Sequence, residues 1–437
     1  MNFKRQLLTV AISLAFSSSA FATNGYFSYG VGTKSKGMAG TGVAMAQDSM
    51  DAATNPATMV EVGNRLDVGA SLFSPRRSYT SQTPTGATGF GGGVGLVNGN
   101  GTTVESDNEL FVIPHFGYNM MLDEKSSFGI TVFGNGGMTT DYQPSNTPGG
   151  FGTYGNGASP TGATGVTMMQ LFLEPTYSRK ISDTASYGVS AILAYSRFEA
   201  FGLDNYQGLS TSPTNMFSGE FDSAFGLGAK FGIQGEVSPG LTLGASYQTK
   251  IYMEEFDKYK GLFAEQGDFD IPASATLGLA WEANDSTTIA FDIQHIFYSD
   301  VDSLANPISP NVTNCMGGNT AYCLGGNQGI GFGWEDMTVF KLGAEWKTSP
   351  QWTWRAGVSH AEAPFKGSEV IFNIIAPAVI EDHITFGFTR DMADGGEINF
   401  SAAYALENDV SGNPTGEQLT TLTMDQFEFE LSYGMKW

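Results

Sequence analysis

Apolar and polar residues alternate with period two along most of the chain beyond residue 65. The C-terminal segment shows this best. Phe427, Phe429, Leu431, Tyr433, Met435 and Trp437 fall on one face; Glu428, Glu430, Ser432, Gly434 and Lys436 fall on the other. Such a period marks a β-strand whose two faces meet different surroundings. Two glutamates on the second face exclude a dry core there unless they are paired, so a polar or water-filled interior fits better. The same alternation recurs at residues 225–233, 241–248, 289–294, 340–346, 354–359 and 397–404. Connectors alternate in length. Short turns lie near 123–125, 182–184, 238–240, 284–286, 348–350 and 392–395. Long connectors lie near 75–108, 140–165, 202–218, 257–268, 303–337, 362–379 and 407–424. Six short turns and seven long loops predict fourteen strands, near 65–74, 109–121, 126–139, 166–181, 186–201, 219–236, 241–256, 269–282, 287–301, 338–347, 352–361, 380–391, 396–406 and 425–437. An even strand count with short turns at one end and long loops at the other is the arrangement of a closed membrane barrel. The expected fold is all-β: a 14-stranded antiparallel transmembrane β-barrel over residues 65–437. A secreted array of β-sandwiches would need domain linkers, and none is evident.

Residues 23–64 do not alternate; they are rich in Gly, Ala and Met. Residues 43–53 are expected to form a short helix ended by Thr54, Asn55 and Pro56. About forty residues are few for a separate domain, and a fourteen-strand barrel is too wide for its own side chains to fill. An N-terminal hatch over residues 23–64, plugging the lumen, reconciles the two; a flexible periplasmic tail is the alternative. Ahead of it, Lys4 and Arg5, a short apolar run over 7–16 and the Ala20-Phe21-Ala22 site read as a cleaved signal peptide over residues 1–22.

Composition changes this picture in two ways. Of 437 residues, 57 are glycine and only 15% are charged, while aromatics reach 13%. That is far from an ordinary soluble enzyme, and too aromatic for a disordered chain. The formal charge of −23, which becomes −25 once Lys4 and Arg5 are removed, argues against a nucleic-acid partner. No catalytic residue stands out: no Gly-x-Ser-x-Gly elbow is present, and His295 and His383 fall on opposite registers without a nucleophile nearby. Cys315 and Cys323 are the only cysteines, close together in a Gly/Asn-rich loop of an exported chain, and are read as a structural disulfide. No cofactor or metal is expected. The acidic loop residues Glu254, Glu255, Asp257, Glu265, Asp268 and Asp270 are read as a solvated face.

The start Asn24-Gly25-Tyr26-Phe27, the Gly-rich stretch after it and Asn55-Pro56-Ala57, all ahead of a fourteen-strand pattern, resemble the FadL-type outer-membrane transporters. These carry long-chain fatty acids or, in relatives, aromatic hydrocarbons. The resemblance continues at residues 226–233 and 352–358 and in the C-terminal aromatic, and covers essentially the whole mature chain. It implies a channel for passive uptake of hydrophobic molecules: capture by outer loops, hatch rearrangement, and lateral exit through a kinked third strand. Long-chain fatty acids are the first expected ligand, neutral aromatic hydrocarbons the alternative. A general diffusion porin is a more distant reading, which residues 23–64 oppose. The expected third strand carries Gly134, Gly136 and Gly137, and glycines inside a strand favour a bulge or bend; these are the candidate kink. Arg197 sits where fatty-acid members place a basic residue, whereas residues 331–336 show Trp334 and acids where a second would fall. Tyr26, Phe27, Tyr29, Phe201 and Trp334 are the aromatic candidates for an apolar pocket. The resemblance further implies a monomer in the outer membrane of a Gram-negative cell, in contact with lipid and lipopolysaccharide and assembled by the barrel assembly machinery through its C-terminal aromatic strand.

Overall fold

Fourteen strands follow one another around a single sheet, each hydrogen-bonded to its neighbours in sequence. They are β1 (Arg65–Gln82), β2 (Phe111–Asp123), β3 (Ser126–Tyr142), β4 (Thr164–Lys180), β5 (Ala185–Phe201), β6 (Asp222–Ser238), β7 (Leu241–Gln248), β8 (Ser274–Asn284), β9 (Thr287–Ile296), β10 (Met337–Ser349), β11 (Trp352–His360), β12 (Asp382–Asp391), β13 (Gly396–Gly412) and β14 (Leu419–Lys436). All pairings between them are antiparallel, and β14 returns to pair with β1 from Lys436↔Arg65 to Leu419↔Gln82, closing the barrel. This computed structural model describes residues 23–437 apart from 83–85, 91–92, 155–161, 217–218 and 394; the expected signal peptide lies outside the described residues.

The alternation read from the sequence is the alternation of the wall. Leu193, Leu227, Phe231, Leu277, Leu342, Phe386 and Leu431 stand exposed on the outside, while Ser190, Lys230, Asp292, Lys341 and Glu430 are buried on the inside. An apolar outer band with a polar interior is what lipid demands. Near the short turns, Trp352, Trp354 and Phe388 pack together with ring centroids 5.5–5.6 Å apart, an aromatic girdle at the level where a bilayer meets water. No described helix is long and apolar enough to cross a membrane.

Every expected strand is present, but several run further than expected. β1 continues to Gln82, β13 to Gly412, and β14 starts at Leu419 rather than 425. A bilayer needs about ten residues per strand, so these extensions stand above it. There the outer face leaves the lipid and turns polar at Arg76, Ser78 and Thr80, while Arg77, Tyr79 and Ser81 stay buried inside; the apolar period disappears, and Thr- and Ser-rich pairs such as Ser411↔Thr421 and Thr421↔Thr80 carry the ladder. The expected strand 241–256 is shorter than read: β7 ends at Gln248, and only Tyr252–Met253 pair with β6 again.

Residues 43–53 are not the expected helix. Only Asp51–Ala53 makes a single 3-10 turn. The backbone there is held by side chains instead. The Asp51 carboxylate accepts from the Gln47 and Asp48 N–H groups, Asp48 from Met50, and Asp292 on β9 from Gly42 and Val43. Such side-chain acceptors compete with helical hydrogen bonds for the same donors. The helical turns of this region fall elsewhere: α1 (Thr33–Lys36) and α2 (Met59–Val62).

Candidate ligand passage and lateral opening

Residues 23–64 lie against the inner wall, and charge fixes them there. Lys36 on α1 reaches both Glu428 and Glu430 of β14, the latter at 2.7 Å, and Thr33 donates to Glu430 at 2.7 Å. Lys34 pairs with Glu397 at 2.7 Å; Glu397 also meets Arg65, which grips Asp67 through two nitrogens at 2.7 Å. The two glutamates that excluded a dry interior thus share one cation from the chain's own N-terminal segment. All of these groups are nearly devoid of solvent contact, where an unpaired charge is costly and a paired one is tolerated. On the opposite wall, the Asn55-Pro56-Ala57 turn is held by backbone. Asn55 accepts from Ala57 N–H at 3.0 Å and donates to the Ile233 carbonyl at 3.2 Å. The Ala57 carbonyl accepts from Ser178 at 2.9 Å and Ser186 at 2.8 Å.

The wall itself is interrupted at β3. Its ladder with β4 shifts register between Gly134 and Gly136, leaving Asn135 as the extra residue. Its ladder with β2 runs from Asp123↔Ser126 to Phe116↔Val132 and stops. Residues 111–115 of β2 therefore have no β3 partner among the described residues. The freed edge of β3 is met from inside: Phe27 pairs with Gly136, and Gly137 N–H donates to the Tyr26 carbonyl at 3.2 Å. Glycine is required at 136, because a Cβ there would lie 2.1 Å from the Tyr26 oxygen. So Gly134, Gly136 and Gly137 sit at or beside a bulge in the third strand.

Behind the interruption stands an aromatic cluster. Tyr26 packs on Phe27, Tyr298 and Trp334 with centroids 5.1, 5.7 and 6.0 Å apart, and Trp334 meets Tyr298 edge-on at 5.0 Å. Burial holds the phenols of Tyr26 and Tyr298 well above their ordinary pKa, so both stay neutral; Tyr298 donates to the Asn24 carbonyl at 2.6 Å. Above the cluster, residues 369–380 are buried without interruption. This apolar loop is pinned through its polar atoms. The Asn373 oxygen accepts from Trp334 Nε1 at 2.7 Å. The carbonyls of Ile371, Ile374 and Ile375 accept from Tyr154, Tyr142 and Thr140 at 2.8–3.0 Å. The apolar space left among Tyr206, Phe263, Phe332 and Phe372 is only about 30 Å³. A polar cavity of about 660 Å³ opens at the short-turn end beside Lys34, Asp183, Glu236 and Lys436.

Three of the six expected pocket residues, Tyr26, Phe27 and Trp334, come together here; Tyr29 lies apart, stacked on His383 with centroids 5.2 Å apart. The other two do not join them either. Arg197 has odd register on β5 and faces outward, its guanidinium 3.5 Å from the Phe221 ring centroid. Phe201 shares that outward register and is half-buried at the strand end. Glu335 and Asp336 point away from the cluster, toward Lys366 and the Ser299 N–H. Tyr298 and the 369–380 loop were missed: Tyr298 fell in a strand expected to reach 301, and the loop carries apolar residues where loops are usually polar. Cys315 and Cys323 are disulfide-bonded. The acidic loop group is not simply solvated: Asp270 is buried, pairing with Lys250 at 2.9 Å and accepting from Met253 N–H at 2.8 Å.

A closed fourteen-strand wall, apolar outside and polar inside, defines a membrane-spanning β-barrel. The family model described as outer membrane protein transport protein (OMPP1/FadL/TodX) matches residues 9–432, and the chain belongs to that family. Its fold is similar to that of the Pseudomonas putida toluene transporter TodX (TM-score 0.68, 20% identity, 95% of this chain and 100% of that one covered). It is also similar to a Pseudomonas aeruginosa FadL homologue (0.66, 18%, 94% and 99%) and to the Ralstonia pickettii toluene transporter TbuX (0.62, 17%, 94% and 99%). Among curated proteins none matches the chain.

Proposed function

We propose that the chain conducts hydrophobic molecules, long-chain fatty acids first among them, across the outer part of the envelope and releases them sideways into the membrane. The observation that carries this reading is the broken β2–β3 ladder directly beside the Tyr26–Trp334 cluster. A greasy solute gains nothing from a water-filled exit, whereas a gap in the wall delivers it into lipid at the depth where apolar burial is favourable. Residues 23–64 act as the hatch. Tyr26 and Phe27 close the seam from within, and the 369–380 loop occupies the space that a ligand must enter. Transport then needs those two apolar elements to yield, with no energy source beyond the gradient. Uptake of neutral aromatic hydrocarbons by the same route is the second reading, favoured by the outward placement of Arg197, which leaves the aromatic cluster without that cation.

Replacing Gly136 with Val tests the reading. A side chain there displaces the Tyr26 carbonyl, so uptake of radiolabelled oleate by cells expressing G136V should change at least fivefold while the barrel keeps its heat-modifiable migration. Unaltered uptake with a folded barrel would refute lateral passage at this seam.

A further inference from the structure

The inward-facing cations of the lumen are almost all compensated. Lys34, Lys36, Arg65, Lys230 and Arg355 each form an ion pair. Lys341 donates to the Tyr29 carbonyl at 2.9 Å and stands opposite Asp292 in the sheet register. Arg77 is different. It projects inward from β1 and is 3% exposed, yet it forms no ion pair among the described residues. Glu109 influences it electrostatically from beyond ion-pair distance. Two of its N–H groups go to the carbonyls of Thr139 and Asn108. Its Nε–H is buried and partnerless. A guanidinium carries five donors and does not shed its proton; with two carbonyls and the Phe111 ring, 5.9 Å from its carbon, as near partners, a buried charge without a counter-ion is costly to maintain.

The same side chain lines a cavity of about 30 Å³ with Gly137, Met138, Trp334, Pro377 and Met424. Gly137 and Met138 are the residues at which β3 resumes above its bulge, so the cavity adjoins the seam. A space of that size holds roughly two water-sized spheres, which is the bulk of one carboxylate, and apart from Arg77 and the Thr23 and Thr139 hydroxyl-bearing residues its walls are apolar. We infer that Arg77 is the anion subsite of the gate. It receives the carboxylate of an amphipathic ligand through its free N–H groups, while the hydrocarbon part runs along Trp334 and Met138 toward the gap between residues 111–115 and β3. This rests on the proposed lateral channel and narrows it: Arg77 sets the preference for anionic over neutral hydrophobes.

The test uses the purified full-length barrel in detergent and measures binding of oleate and of oleyl alcohol by equilibrium dialysis, with Trp334 fluorescence as a second signal. Wild type should bind oleate at least tenfold more tightly than the alcohol. Arg77→Met should bring that ratio close to one, and Arg77→Lys should keep part of it. Because R77M removes a buried charge that has no counter-ion, it should unfold at the same or higher denaturant concentration than wild type; a structural role would lower it. An unchanged ratio in folded R77M overturns the subsite, as does equal binding of both ligands by wild type, and in either case the channel reading stands. Failure of wild type to bind either ligand removes the channel reading itself.

Discussion

Lys36 joins one ammonium to two carboxylates from β14, and its removal is the sharpest perturbation that the lumen offers. Lys36→Met leaves Glu428 and Glu430 facing each other's charge inside the barrel, both almost wholly buried, with the Thr33 hydroxyl and the His115 imidazole, 3.4 Å away, as the remaining partners of Glu430. Removing one partner of a buried pair costs about 3–5 kcal/mol, because the remaining charge stays uncompensated. At about 1.4 kcal/mol per factor of ten, that shifts the balance between docked and undocked hatch by roughly two to three and a half orders of magnitude. The desolvation already suffered by the pair works the other way: removing all three charges together should come close to neutral. The reporter is Ser35, buried beside Lys36, whose hydroxyl makes no hydrogen bond, so a cysteine there disturbs little. Maleimide labelling of S35C should be slow in the parent barrel, at least a hundredfold faster in K36M/S35C, and slow again when E428Q and E430Q are added. Equal labelling rates in the first two would refute the reasoning, since the hatch would then be held by packing alone.

Two further outcomes follow from the outer loops. Burial, and then the neighbouring Asp270 carboxylate, push Asp268 up to about 7. The folded connector therefore keeps this proton to higher pH than the unfolded chain does. Its stability falls as pH rises from the ordinary carboxylate range through 7 and is lowest above that. Proteolysis of residues 249–273 should be faster at about pH 8 than at about pH 5 in wild type, and D268N should abolish the difference; a wild-type rate independent of pH would contradict this. Replacing both Cys315 and Cys323 with Ser opens a loop with a sequence separation of 8, worth about 2.5 kcal/mol of unfolded-state constraint. Hydrogen exchange in residues 297–336 should rise while the strands stay protected; unchanged exchange would mean that the loop is held by its other contacts.

How legible was this in the chain? The wall was, because lipid on one side and polar groups on the other impose a period of two that each strand must repeat. Phe427 to Trp437 show it in eleven residues. The extensions of β1, β13 and β14 were not, because above the membrane the outer face no longer meets lipid and turns polar, which removes the apolar period. The bulge at Gly134–Gly136 was legible, since three glycines in six residues of a strand have few other uses. The counter-ions were only half legible. Glu428 and Glu430 announced that something charged must face them, but period two cannot say that it comes from residue 36. Arg197 shows the limit from the other side: its chemistry suited an anchor, yet odd register on β5 turns it outward. Arg77 has the chemistry and the inward register, and was passed over because it falls where the first strand had been expected to have ended already.

The Lys36 contacts span 392 and 394 positions, and Thr23 reaches Gln426 across 403. Residues 23–36 are therefore tied to the strand that closes the wall against β1. Without β14 the wall stays open and the Lys36 ammonium loses both of its carboxylates. Contacts of such long range form late. The Lys36 contacts thus couple closure of the wall to the docking of residues 23–36 inside it.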